Sequence, residues 1–68
     1  MAQVDQAALT RALQSDSDLS SASLATKILV ARLRKEVKAD PASLTAKTAE
    51  LATFFQKNTF ATRDLAVI

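Results

Sequence analysis

Glycine, cysteine, histidine, tryptophan and tyrosine are all missing from this chain of 68 residues, and proline occurs once. Each absence narrows what the chain can be. Tight hairpin turns and sheet edges draw on glycine, proline and large aromatics, so their scarcity favours helices. Lacking glycine, the chain also has no phosphate-cradling loop of the usual kind. Without cysteine or histidine it can form neither disulfides nor a Cys/His zinc site to reinforce a small core. With tyrosine gone as well, only Ser, Thr, Lys, Asp and Glu remain as candidates for nucleophile or general base. The acids stand singly apart from Asp16 and Asp18, whose serine turn lacks the ligand spacing and glycine of a calcium loop. We therefore expect no enzymatic activity, with no catalytic residue, metal ligand, cofactor or small-molecule substrate.

Apolar runs of the 18 or so residues that a membrane span requires are also absent, and the Met1-Ala2-Gln3-Val4-Asp5 start has no secretory pattern, so an intracellular, cytoplasmic protein is expected. Charge is nearly balanced at +2, from nine Lys or Arg against seven Asp or Glu, too little to argue for nucleic acid from the total. Its distribution says more. Arg32, Arg34, Lys35 and Lys38 cluster with Glu36 as the only acid among them.

What is present is helical periodicity. The chain is organised around the stretch from Ser23 to Phe55. At about 100° per residue, Leu29, Val30, Leu33 and Val37 share one arc while Lys27, Arg34, Lys35 and Lys38 share the other. Leu24 and Ile28 point away from that arc, so the first turns are apolar nearly all round and need cover on a second side. Asp40-Pro41 breaks the helix, because the residue before proline leaves the helical region and proline suits the start of a new helix. Asp40 is expected as its N-cap. Leu44, Thr48, Leu51 and Phe55 then recur at helical spacing with Phe54 on the flank. So short a connection favours antiparallel neighbours.

Before this hairpin, Val4, Ala8, Leu9, Ala12 and Leu13 predict a helix of about three turns, too short to persist unpacked, whose natural place is over Leu24 and Ile28. Ser15-Asp16-Ser17-Asp18 reads as a polar break, after which Ser20 or Ser21 is expected to cap the central helix, with Leu19 as a hydrophobic staple on Leu24. Near the end, Asn58 is suited to a left-handed helix stop and Phe60, Ala61, Leu65 and Ile68 form a last apolar face. The final Val67-Ile68 either tucks into the core or is covered by a partner. The fold expected is all-α: one domain over residues 1–68, a small bundle built on an antiparallel hairpin, with three helices at about 3–14, 20–39 and 41–57 and a short C-terminal one at about 60–67.

Thr48-Ala49-Glu50-Leu51-Ala52 followed by Arg63-Asp64-Leu65 resembles the helix-turn-helix pattern of small DNA-binding regulators, with Gln56 standing where that family has its turn glycine and Lys57 where it has an apolar residue. The run from Lys57 to Leu65 resembles the loop and last helix of the histone fold, which also needs a long middle helix. Neither local likeness makes the chain a member.

Leu, Ile, Val and Phe number 18, enough for a fold but for a thin core in so short a chain. The usual remaining source of stability is burial against another chain. The sequence thus points to a non-catalytic protein-interaction module, a subunit or adaptor, whose partner is another protein or a copy of itself. Leu24, Ile28, Phe54, Phe60, Val67 and Ile68 are the expected contacts. The alternative is a small DNA- or RNA-binding protein that meets phosphates through Arg32, Arg34, Lys35 and Lys38, with Lys57 and Arg63 as further candidates.

Overall fold

A computed structural model describes residues 5–68; the expectations for residues 2–4 lie outside it. The described chain is all-α. Helix α1 spans Gln6–Gln14, α2 Leu24–Ala39 and α3 Leu44–Lys57, with a 3₁₀ turn at Pro41–Ser43 before α3 and a C-terminal 3₁₀ helix at Thr59–Ala66.

Asp5 starts α1, its carboxylate accepting from the Ala7 amide at 3.0 Å. The apolar row Leu9, Ala12 and Leu13 is buried. Contrary to expectation, this row does not cover Leu24 and Ile28: α1 lies against both α2 and α3, and those two residues stay exposed. Two polar contacts hold α1 there. The hydroxyls of Thr10 and Thr48 hydrogen-bond at 3.2 Å across α1 and α3. Arg34 reaches back from α2 and donates to the Ala12 carbonyl at 2.9 Å, which also accepts from the Ser15 amide at 3.4 Å, and to the Ser17 carbonyl at 3.0 Å, so it ties the last turn of α1 and the loop after it to α2.

The polar break turns as expected, through Ser15 accepting from the Ser17 amide and Asp18 from the Ser20 amide, both at 3.0 Å. The central helix then begins later than residue 20. Ser20 and Ser21 lie in a turn, Ser23 is the cap residue and makes no side-chain capping bond, and Leu24 opens α2. The Leu19 staple does not form either, since Leu19 is buried in the core while Leu24 faces out. Within α2, Thr26, Val30, Leu33 and Val37 are buried and Leu29 is partly so.

Asp40 closes α2, but its side chain makes no cap bond to the next helix. Its carbonyl acts instead, accepting from the Ser43 amide at 2.9 Å and the Ser43 hydroxyl at 2.7 Å, so Pro41 opens a 3₁₀ turn before α3. Along α3, Thr48, Leu51, Ala52 and Phe55 are buried. Phe54 and Phe55 meet edge to face at 5.2 Å. Arg32 pairs with Glu50, and Lys47 with Glu36 at 3.2 Å, so residue numbers rise along α2 as they fall along α3. Asn58 ends α3 with φ −119°, not in the left-handed region; its amide side chain and backbone both donate to the Phe54 carbonyl at 2.9 Å and supply the stop.

The last element is 3₁₀ throughout its eight residues, longer than such helices usually run. Side chains three apart eclipse, and this sorts the residues: Ala61 and Asp64 form a buried inner row, while Phe60, Arg63 and Ala66 form an exposed outer one. The element is anchored by Asp64, which is 1% exposed. One carboxylate oxygen accepts from the buried Thr26 hydroxyl at 2.7 Å and from the Ser23 amide at 3.2 Å. The first turn of α2 carries no acid of its own, so Asp64 supplies from across the fold the negative charge and the acceptor that this helix start lacks. The chain end divides: Ile68 packs partly on the core and Val67 stays exposed.

These contacts hold the Asp64 carboxyl below the usual carboxylate value of 3.8, the Thr26 hydrogen bond foremost and the Ser23 bonds and nearby Arg63 adding to it, against an opposing effect of burial. A folded-state value below the unfolded one means that the contribution is present above 3.8 and is lost as pH falls through the folded value. Replacing Asp64 by Ala should therefore cost about 1–3 kcal/mol near neutral pH, the range for leaving a buried donor unpaired. Asp64→Asn should flatten the acid limb of stability in urea unfolding followed by circular dichroism. An equally steep acid limb in wild type and variant would contradict this role.

Candidate interaction surface

Because α1 occupies the inner side of the α2–α3 pair, the outer face of α2 is left without a covering element. Leu24 is 68% exposed and Ile28 62%, and at a spacing of four they sit one above the other on that face. Beside them, between α2 and α3, runs an open groove of about 360 Å³ lined by Ala25, Ile28, Leu29, Arg32 and Phe54. Phe54 is its wall on the α3 side. Half-buried, it packs inward on the core and against Phe55, and contributes its remaining surface to the groove.

Of the six apolar residues expected at a contact, Leu24, Ile28 and Phe54 thus come together. Phe60, 61% exposed, and Val67 lie instead on the C-terminal 3₁₀ helix and its end, and neither lines the groove. Ile68 is only partly available, because it packs on the core. Ala25 is a groove residue that periodicity alone did not single out, and Leu29, expected on the core arc, also lines the groove.

The basic cluster divides in a different way. Arg34 is taken up by the Ala12 and Ser17 carbonyls and a further contact of 3.3 Å to the Ser17 hydroxyl, so it serves the fold. Arg32 pairs with Glu50, and Lys38 with Asp16 at 3.2 Å, both pairs well exposed to solvent. Such pairs contribute about 0–1 kcal/mol and open readily. Lys35 is exposed and makes no ion pair among the described residues. A second depression of about 410 Å³, where Ser17 and Lys27 meet Arg34, is more polar and is already crossed by the Arg34 bonds.

Chemically, the surface offers burial and charge. Among the described residues no group of three or more acids, histidines or cysteines is placed to hold a metal ion. Asp64, whose pKa is lowered, is sealed against Thr26, where it caps a helix. No described helix is long and apolar enough to cross a membrane. After α3 the chain forms a 3₁₀ helix whose Asp64 faces inward, so the stretch resembling a helix-turn-helix has no second α-helix, and α3, at 14 residues, is no long middle helix of a histone fold.

If the outer face carries no structural duty, Ile28→Ser should change stability by less than about 0.5 kcal/mol, as at ordinary surface sites. Leu33→Ala, five residues on and fully buried, should cost about 2–5 kcal/mol. Chemical denaturation of the two variants checks this, and a comparable loss for Ile28→Ser would mean that the face is covered in the free chain.

Compared with known proteins, the chain matches no family model, no curated protein and no solved structure, so its surface is read from its own chemistry.

Proposed function

We propose that this chain is a non-catalytic protein-interaction module, a small helical subunit or adaptor that buries the apolar face of α2 against a partner chain or a copy of itself. One observation carries the reading: Leu24 and Ile28 are each about two-thirds exposed, adjacent, and continuous with the groove walled by Phe54. Single exposed apolar residues are ordinary on any protein surface. Two large ones in a row beside an apolar groove form a patch of the kind that marks contact sites. Phe60 and Val67 would extend the contact only for a partner that also reaches the C-terminal helix.

The second reading, nucleic-acid binding through Arg32, Arg34, Lys35 and Lys38, is favoured by Lys35, which is exposed and makes no ion pair among the described residues, and by the weak exposed pairs of Arg32 and Lys38. It is weakened at Arg34, whose donors already hold α1. It would give binding that falls steeply with salt, since phosphate contacts release counterions.

A photocrosslinking amino acid in place of Ile28, introduced in the cells that produce the protein, tests the proposal, with the same group at exposed Arg11 on α1 as control. The expected result is a discrete protein adduct, or a dimer of the chain, from position 28 and none from position 11. Adducts to nucleic acid, or the same pattern from both positions, would overturn it.

A further inference from the structure

The outer face of α2 changes character along its length. At 100° per residue, Leu24, Ile28, Ala31, Arg32, Lys35 and Lys38 project into one half of the helix circumference, opposite buried Thr26, Val30, Leu33 and Val37, and all six are exposed. The first two turns of this face are apolar at their centre, with Leu24 and Ile28, and half-buried Lys27 stands at their margin. The last two are cationic, with Arg32, Lys35 and Lys38; Glu50 and Asp16 meet Arg32 and Lys38 in exposed pairs that contribute little, and Lys35 makes no ion pair among the described residues. It carries no acid of its own; Glu36, the only acid in α2, is turned to the flank, where it pairs with Lys47 of α3. Along a helix of 16 residues, roughly 24 Å, an apolar half is thus followed by a positive half.

We infer that the occupant of this face is an acidic amphipathic helix of another protein, lying along α2 with its apolar side chains over Leu24, Ile28 and the groove and its carboxylates over Lys35 and Lys38. The inference rests on the interaction reading above and adds the partner's chemistry to it. Apolar anchors at helical spacing are what a groove between two helices accepts. Complementary charge fixes the register and rejects the reversed orientation.

The alternatives fit less well. A second copy offers the same face: laid parallel, it sets cations against cations, and laid antiparallel it sets Lys35 and Lys38 against Leu24 and Ile28 with no carboxylate to meet them. An anionic bilayer would suit the cations, but the apolar surface includes a recess between two helices, and Glu50 stands beside Arg32 at its edge. Nucleic acid would leave Leu24, Ile28 and Phe54 unused.

Two helix-forming peptides of about 15 residues test the inference. They share leucines at helical spacing and differ only in carrying glutamate or lysine toward one end. Binding to the full chain is measured by fluorescence anisotropy and located by amide chemical shifts. The glutamate peptide should bind at least about tenfold tighter than the lysine peptide, weaken with salt, and shift residues 24, 28 and 54. In the double variant Lys35→Glu, Lys38→Glu, whose sites are exposed, the preference should reverse while the unfolding midpoint stays near that of wild type. Equal affinity for the two peptides would overturn the inference. So would capture by anionic vesicles with no response to either peptide, or formation of a dimer of the chain through position 28. A discrete partner crosslinked at position 28 together with indifference to both peptides would remove only the acidic-helix chemistry and leave the interaction module standing.

Discussion

Asp64 is a carboxylate withdrawn from water and placed at the start of a helix whose first turn has no acid of its own. Its acceptor oxygen takes the Ser23 amide and the Thr26 hydroxyl, which would otherwise be donors without partners at a helix end. A charge this buried is tolerated only where such donors and a helix N-terminus face it. The C-terminal 3₁₀ helix is therefore bound to a particular place on α2. That position turns Ala61 and Leu65 to the core and leaves Phe60 and Arg63 outward. Thr26, which the apolar pattern of α2 would have made a flaw in the core, is the residue that completes the arrangement.

Two other polar contacts fix the opposite side. Arg34 closes the end of α1, and the Thr10–Thr48 pair joins α1 to α3, so α1 is committed to the inner face of the α2–α3 pair. With α1 held inside and the C-terminal helix held at the start of α2, the outer face of α2 is left without cover. Exposure of Leu24 and Ile28 is thus a consequence of where three polar contacts place the neighbouring elements. It is the reason that a chain with a sealed core, including Leu9, Val30, Leu33, Leu51 and Phe55, still presents an apolar surface.

The helices and most of the core were legible in the sequence because 3.6-residue periodicity reports local amphipathicity directly. Val30, Leu33, Val37, Leu51 and Phe55 all lie where that period puts them. Caps were less legible. Asp40 and Asn58 occupy the expected helix ends, yet act through a carbonyl and an amide donor, a difference that local spacing does not encode. Local spacing puts the α2 start four residues early because the acceptor at the true start comes from Asp64, 41 residues beyond Ser23. Likewise, apolar periodicity favours α1 as cover for Leu24 and Ile28, whereas the position of α1 is set by Arg34 and Thr48, polar partners distant in sequence. For the surface, periodicity identified Leu24 and Ile28 as residues outside the core stripe. It could not show that Phe54 would wall the same groove, or that Arg34 would be withdrawn from the basic face into a structural role.

The free chain seals its core on one side of α2 and leaves the other side wet. Solvent paramagnetic relaxation of the methyl groups, recorded on dilute free protein, tests this most directly. Strong relaxation is expected at Leu24 and Ile28 and almost none at Val30, Leu33 and Leu51. Equal protection of all five would contradict it.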